Sequence, residues 1–181
     1  LILTKSAGIE GTAILASDRE EQLKKVLDPK ILQNAKEFYY QISVVRDAIT
    51  AFKTGGVDAM HDPTEGGVIG GVYEMAEASK LGVKIFEEQI PVQHETAEIS
   101  ELFRIDPLQL ISSGALLISA KPELAGKIAE RLEQEGIHAS IIGEFLEDPE
   151  SRTIATKSGK IQTLPKPSSD HLWLALVRAI E

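Results

Sequence analysis

The chain has 181 residues, and its 19 Lys and Arg against 28 Asp and Glu leave a net charge of −9. The length favours a single domain, and a composition of 43% hydrophobic and 26% charged residues excludes a disordered chain. The lack of cysteine excludes a disulfide framework, a thiolate zinc site, an iron–sulfur cluster and a cysteine nucleophile, while the acidic balance argues against nucleic acid as a partner.

Leu1–Thr4 reads as a short buried strand with neither Met nor a cap before it. It carries no charged n-region and no cleavage site, so it is not read as a signal peptide. The chain is therefore expected to be a piece of a longer one, or to have a processed start. Gly8, Gly11 and an Ala-rich run follow, with a break at Ser17-Asp18, and Glu20–Leu27 is helical in pattern. Asp28-Pro29 opens a helix with Ile31, Leu32, Ala35, Phe38 and Tyr39 on one face. Ser43 is placed to cap a helix whose inward stripe reads Val45, Ala48, Ile49 and Phe52, ending at Gly55-Gly56. Val57–Met60 reads as a strand, and Asp62-Pro63-Thr64-Glu65-Gly66-Gly67 opens a helix that Gly82 ends.

Val83–Phe86 reads as a strand, Thr96–Phe103 as a helix, and Asp106-Pro107 starts a helical turn. Ala115–Ala120 is a buried strand, and Pro122 to Gly136 bound a helix. Ile137–Phe145 reads as one strand, Thr153–Thr156 and Lys160–Leu164 as a hairpin, and Asp170–Ile180 as a last helix capped by Ser168 or Ser169. Strands alternate with helices, so the class is α/β or α+β. No run approaches the ~18 apolar residues of a membrane span, and none is expected.

The segment around Asp62 is the most informative. Asp62 at an N-cap, Pro63 at the first helical position and Glu65 three residues on make a capping-box spacing. That explains those residues but not Gly66, Gly67, Gly70 and Gly71. At roughly 1 kcal/mol each against Ala, four helical glycines forfeit about 4 kcal/mol. Something approaches this helix closely. A phosphate on the free amides and a packed neighbouring backbone are both open. His61 reads more readily as a packing residue than as a catalyst, and His94, His138 and His171 form no metal spacing. No metal site is expected from this chain's own residues. Ser112-Ser113-Gly114 is either a plain turn or a loop at a cleft mouth. There is no nucleophile elbow, Walker loop or dinucleotide fingerprint.

These motifs, taken with Met75-Ala76-Glu77-Ala78-Ser79, Gly82-Val83-Lys84-Ile85, Ile90-Pro91-Val92, Asp106-Pro107-Leu108, Ser113-Gly114-Ala115-Leu116-Leu117 and Ile142-Gly143-Glu144, resemble in order and spacing the C-terminal domain of the aminoimidazole ribonucleotide (AIR) synthase superfamily. The nearest branch is the hydrogenase-maturation dehydratase group with its archaeal synthase-related members. The segment from Gly8 to Leu15 resembles the passage from that family's N-terminal to its C-terminal domain.

The resemblance implies that residues 1–181 form a three-layer α/β/α domain with partial ferredoxin-like character. It implies a missing N-terminal ATP-binding domain, a homodimer in the full-length protein, a cytoplasmic location, and a small-molecule or protein substrate held between the domains. ATP and Mg²⁺ are implied for the whole protein, with neither expected on this chain alone. The implied chemistry is phosphoryl transfer that activates a substrate oxygen. Carried over by position, Asp62 is the catalytic candidate. Thr64, Gly66, Gly67, Ser112, Ser113 and Gly114 are the substrate- or phosphate-binding candidates. Two departures stand out: there is no cysteine in the tail, and Glu65 lies where the family often has a basic residue. The alternative is a non-catalytic binding or scaffolding relative.

Overall fold

A computed structural model describes residues 1–178. Strand β1 (Ile2–Thr4) leads into helix α1 (Ile9–Asp18), which runs through the expected break at Ser17. Helix α2 (Glu20–Leu23) is one turn, and α3 (Pro29–Glu37) starts at Pro29 with the Asp28 carboxylate accepting from the Lys30 N–H. A 3-10 turn (Phe38–Gln41) precedes α4 (Val45–Thr54) and strand β2 (Val57–His61). Then come α5 (Gly67–Ser79), β3 (Gly82–Phe86) and α6 (His94–Phe103). A 3-10 turn at Pro107–Gln109 leads to β4 (Leu117–Ala120) and α7 (Pro122–Gln134). Four strands, β5 (Ala139–Ile141), β6 (Gly143–Leu146), β7 (Arg152–Ala155) and β8 (Ile161–Thr163), precede α8 (His171–Val177).

The strands form two sheets, β2-β4-β1-β5 and β6-β3-β7-β8. Every pairing in the first is antiparallel; in the second, β3 and β7 are parallel. Strand periodicity sends alternate residues to opposite faces. Ile2, Leu116 and Ile118 pack on Ala125, Ile128 and Leu132 of α7 and Ala51 of α4. Leu1, Leu3 and Leu117 join Ile9 of α1 and Val68, Val72 and Ala76 of α5. The first sheet thus lies between two helical layers, the α/β/α arrangement expected. The second sheet adds Val83, Ile85 and Ile154 to the same core. A further cluster joins Leu15, Leu23, Leu32, Phe103 and Leu172 of the outer helices.

Several expectations are corrected. Ile137–Phe145 is two strands in different sheets. The switch is Ile142, whose N–H donates to the Leu1 carbonyl while its own carbonyl accepts from Phe86 N. Gly143 follows because an added Cβ would lie 2.3 Å from the Lys84 carbonyl oxygen. On α4 the stripe Val45, Ile49 and Phe52 points outward, and Asp47 and Ala51 are the buried residues. Asp47 fixes that rotation, accepting from the Thr4 hydroxyl at 2.6 Å and pairing with Lys5 at 3.3 Å. Ser43 does not cap α4, whose N-cap is Val44 without a side-chain bond. Helix α5 ends on Lys80 in the left-handed region, not on Gly82. Helix α8 is capped by Asp170, not by Ser168 or Ser169, and Ala179 and Ile180 lie outside the described residues.

Candidate active site

β1 and β2 both run antiparallel to β4, so the ends of β1 and β2 and the start of β4 meet at one end of the first sheet's strands. Three segments converge there: Thr4–Glu10, His61–Gly67 and Ser112–Ala115.

Asp62 follows β2 and is not a helix cap. Helix α5 begins five residues later, with Gly66 as its left-handed N-cap at φ 77. The Asp62 Oδ1 is buried without a hydrogen-bond partner. Burial raises its pKa above the usual carboxylate value. Glu10 of α1 pushes the same way, while the Gly114 N–H, His61 and Lys5 act against the shift. Glu10 has a buried orphan oxygen of its own, Oε2. A buried polar atom without a partner is costly, and such atoms gather where a ligand completes the set. Beside Asp62, His61 Nε2 lies 2.9 Å from Glu74 Oε2.

The glycines are explained by packing. Gly67 has φ 60, and a Cβ there would lie 2.5 Å from the Leu110 carbonyl oxygen and 2.7 Å from that of Leu108. The Cβ of Gly71 would meet Leu117 and Pro63 at 2.8 Å. The Gly67 N–H bonds to the Thr64 carbonyl, and the Gly66 N–H donates to the buried Asp170 carboxylate at 2.7 Å. Asp170 also accepts from Ile111 N at 3.2 Å and Leu172 N at 2.7 Å. A phosphate at the start of α5 would have to displace that carboxylate. Thr64 and Glu65 are exposed.

Ser112 is buried and internally satisfied. Its hydroxyl accepts from Gly8 N at 2.7 Å and donates to the Leu110 carbonyl at 2.7 Å. Ser113 and Gly114 lie beside it in the same buried loop. Of the sequence candidates, Gly114 lies near enough for its N–H to favour the ionised Asp62 carboxylate. Ser112 builds the loop, Gly66 and Gly67 build the start of α5, and Thr64 stays outside. Sequence reasoning did not single out Glu10, Lys5, Asp47 or Asp170. A charged residue inside the apolar-flanked run Val44–Ala51 was a usable signal for Asp47. The others depend on contacts distant in sequence.

Among the described residues there is no group of three or more His, Asp or Glu placed to hold a metal ion. No helix among them is long and apolar enough to cross a membrane.

Residues 1–155 match the family described as AIR synthase related protein, C-terminal domain. The chain is 31% identical over 168 residues to a hydrogenase expression/formation protein of Methanocaldococcus jannaschii, covering 88% of this chain and 46% of that protein. It is 29% identical over 174 residues to the carbamoyl dehydratase HypE of Escherichia coli, covering 95% and 48% respectively. The crystal structure of E. coli HypE superposes with a TM-score of 0.75 at 27% identity, over 93% of this chain and 50% of that one. A HypE structure in complex with ATP shares the fold, with a TM-score of 0.68 at 19% identity over 94% of this chain and 51% of that one. The chain therefore spans about half the length of the relatives it matches.

Proposed function

The chain belongs to the AIR synthase related protein family, whose C-terminal domain it carries, and we propose that it is the C-terminal half of an ATP-dependent enzyme that activates a substrate oxygen by phosphoryl transfer. The observation that carries this reading is the buried, unpartnered Asp62 Oδ1 at the converging strand ends, with the orphan Oε2 of Glu10 near enough to act on it electrostatically. In this reading an N-terminal ATP-binding half supplies the nucleotide and the groups that neutralise its phosphates. Asp62 faces the substrate as hydrogen-bond or proton acceptor through its unpartnered Oδ1. The chain's own share of the chemistry is positioning and electrostatics. Ser112 and Ser113 build the loop beside it, and Gly66 and Gly67 build the start of α5. Relatives named as carbamoyl dehydratase, and one in complex with ATP, support the reaction class and the nucleotide.

A second reading, a non-catalytic module of the same fold, draws support from the Asp170 carboxylate on the Gly66 amide, which uses internally the group expected for a ligand. Asp62→Asn in the full-length protein separates the two. The enzyme reading expects a normal melting temperature with turnover of ATP reduced by about 10²–10³. Unchanged turnover removes Asp62 from the mechanism. Absence of any substrate-dependent ATP turnover in the unmodified protein favours the module.

A further inference from the structure

A groove of about 360 Å³ lies between α1 and the 3-10 turn Phe38–Gln41. Apart from Glu10, none of its residues enters the phosphoryl-transfer reading. Glu10, Ile14 and Asp18 line it from the helix, four residues apart and so on one face. At a rise of ~1.5 Å per residue, the backbones of Glu10 and Asp18 stand about 12 Å apart. The helix thus gives the groove two separated carboxylates with an isoleucine between them. The turn contributes Tyr39 and Tyr40. The sequence pattern puts Tyr39 on the inner face beside Phe38. The structure buries Phe38 and leaves Tyr39 68% and Tyr40 83% exposed. The two rings meet edge to face, with centroids 5.7 Å apart and planes at 80°.

The lining asks for positive charge from several sides. A phenol ring attracts a cation to its face, and two exposed rings at a corner offer two such faces. Glu10 Oε2 is buried without a partner, and among the described residues neither the Glu10 nor the Asp18 carboxylate has an ion pair. The cation in the groove wall, Lys36, is held by Glu20 at 2.7 Å. The net charge of −9 adds a long-range field of the same sign. We propose that this groove binds a linear aliphatic diamine or polyamine. One ammonium pairs with Glu10 and another with Asp18, the methylene stem lies on Ile14, and the tyrosines close over the cationic groups. The order of charge, apolar surface and charge along α1 favours a two-ended cation over a single one. A hard metal ion is a poor match, because it needs several oxygens gathered at one point. The inference goes beyond the phosphoryl-transfer reading and is independent of it. Binding is measured without nucleotide, so its failure leaves the role of Asp62 untouched, and loss of that role leaves the groove standing.

The test compares two amines with the same stem, hexamethylenediamine and hexylamine. Each is titrated into the chain while the ring signals of Tyr39 and Tyr40 are followed by NMR. The diamine is expected to shift both signals saturably and to bind roughly 3-fold to 10-fold more tightly than the monoamine. Glu10→Gln and Asp18→Asn are each expected to reduce that advantage, and the double variant to abolish it. Tyr39→Leu and Tyr40→Leu are each expected to weaken both amines by roughly 3-fold to 10-fold. Asp18, Tyr39 and Tyr40 are exposed, so these replacements keep the test valid if Glu10→Gln does not fold. Equal binding of the two amines to the unmodified chain overturns the two-ended reading. Unmoved tyrosine signals, or a diamine advantage that survives the carboxylate variants, overturn the site itself.

Discussion

Ionising Asp62 in the folded chain carries an energetic cost, and the cost has a testable sign. Burial lifts its pKa above 3.8, the value for the unconstrained group. Between those two values the folded state holds a proton that the unfolded state has released, so stability falls as pH rises through this window. The penalty is complete above the folded pKa and absent below 3.8. Asp62→Asn removes the charge and keeps the shape. Its melting temperature is expected to equal or exceed that of the unmodified chain at neutral pH, and the two curves should meet in acid. Thermal melts across pH check this; a variant markedly less stable at neutral pH refutes it. The sequence singled out Asp62 as the cap of a helix, which it is not. The Asp-x-x-Glu spacing matched a capping box, but Gly66 takes the cap position in the left-handed region. What makes Asp62 distinctive is an oxygen without a partner beside Glu10 and Lys5, which arrive from α1 and the end of β1. Such convergence leaves no trace in local spacing.

Helix α4 shows how one polar residue overrides a periodic apolar pattern. Val45, Ala48, Ile49 and Phe52 recur at helical spacing, and that spacing alone assigns them to the core. Burying Asp47 instead gives its carboxylate the Thr4 hydroxyl and the Lys5 ammonium, and the helix turns accordingly. Orienting the apolar stripe inward would leave those groups unpaired, at about 1–3 kcal/mol or more each. Phe52 is consequently 72% exposed and Ile49 49% exposed. Ile49→Gln and Phe52→Gln are each expected to change the stability of the chain by no more than about 0.5 kcal/mol. Chemical denaturation measures this, and a loss above ~2 kcal/mol from either would mean that the stripe is buried after all. Elements bounded by local signals were legible: α3 after Asp28-Pro29, α7 between Pro122 and Gly136, and the β7–β8 hairpin. The switch of sheets at Ile142 was not, because its two hydrogen bonds go to Leu1 and Phe86, far away in sequence.

At the scale of the whole molecule, charge and geometry together limit what the chain does by itself. The net charge is −9, and the candidate site adds Asp62 and Glu10 with unpartnered oxygens facing one another's field. The ammonium nearby, Lys5, already bonds to three carbonyls and pairs with Asp47. The amide at the start of α5 that could meet a phosphate is held by Asp170. A nucleotide triphosphate brings several negative charges and needs cations or free amides to replace its hydration. These groups offer it carboxylates. The isolated chain is therefore expected to give no measurable heat with ATP by calorimetry, with or without Mg²⁺, at concentrations where the full-length protein binds it. Raising the salt concentration separates the two causes. If long-range repulsion alone prevents binding, screening restores it; if the phosphate-binding groups belong to the other half of the protein, binding stays absent at every ionic strength. The second outcome is the one expected, since the local amides and the ammonium are committed whatever the salt. Tight ATP binding by the isolated chain would place the nucleotide site within these residues and overturn the division of labour between the two halves.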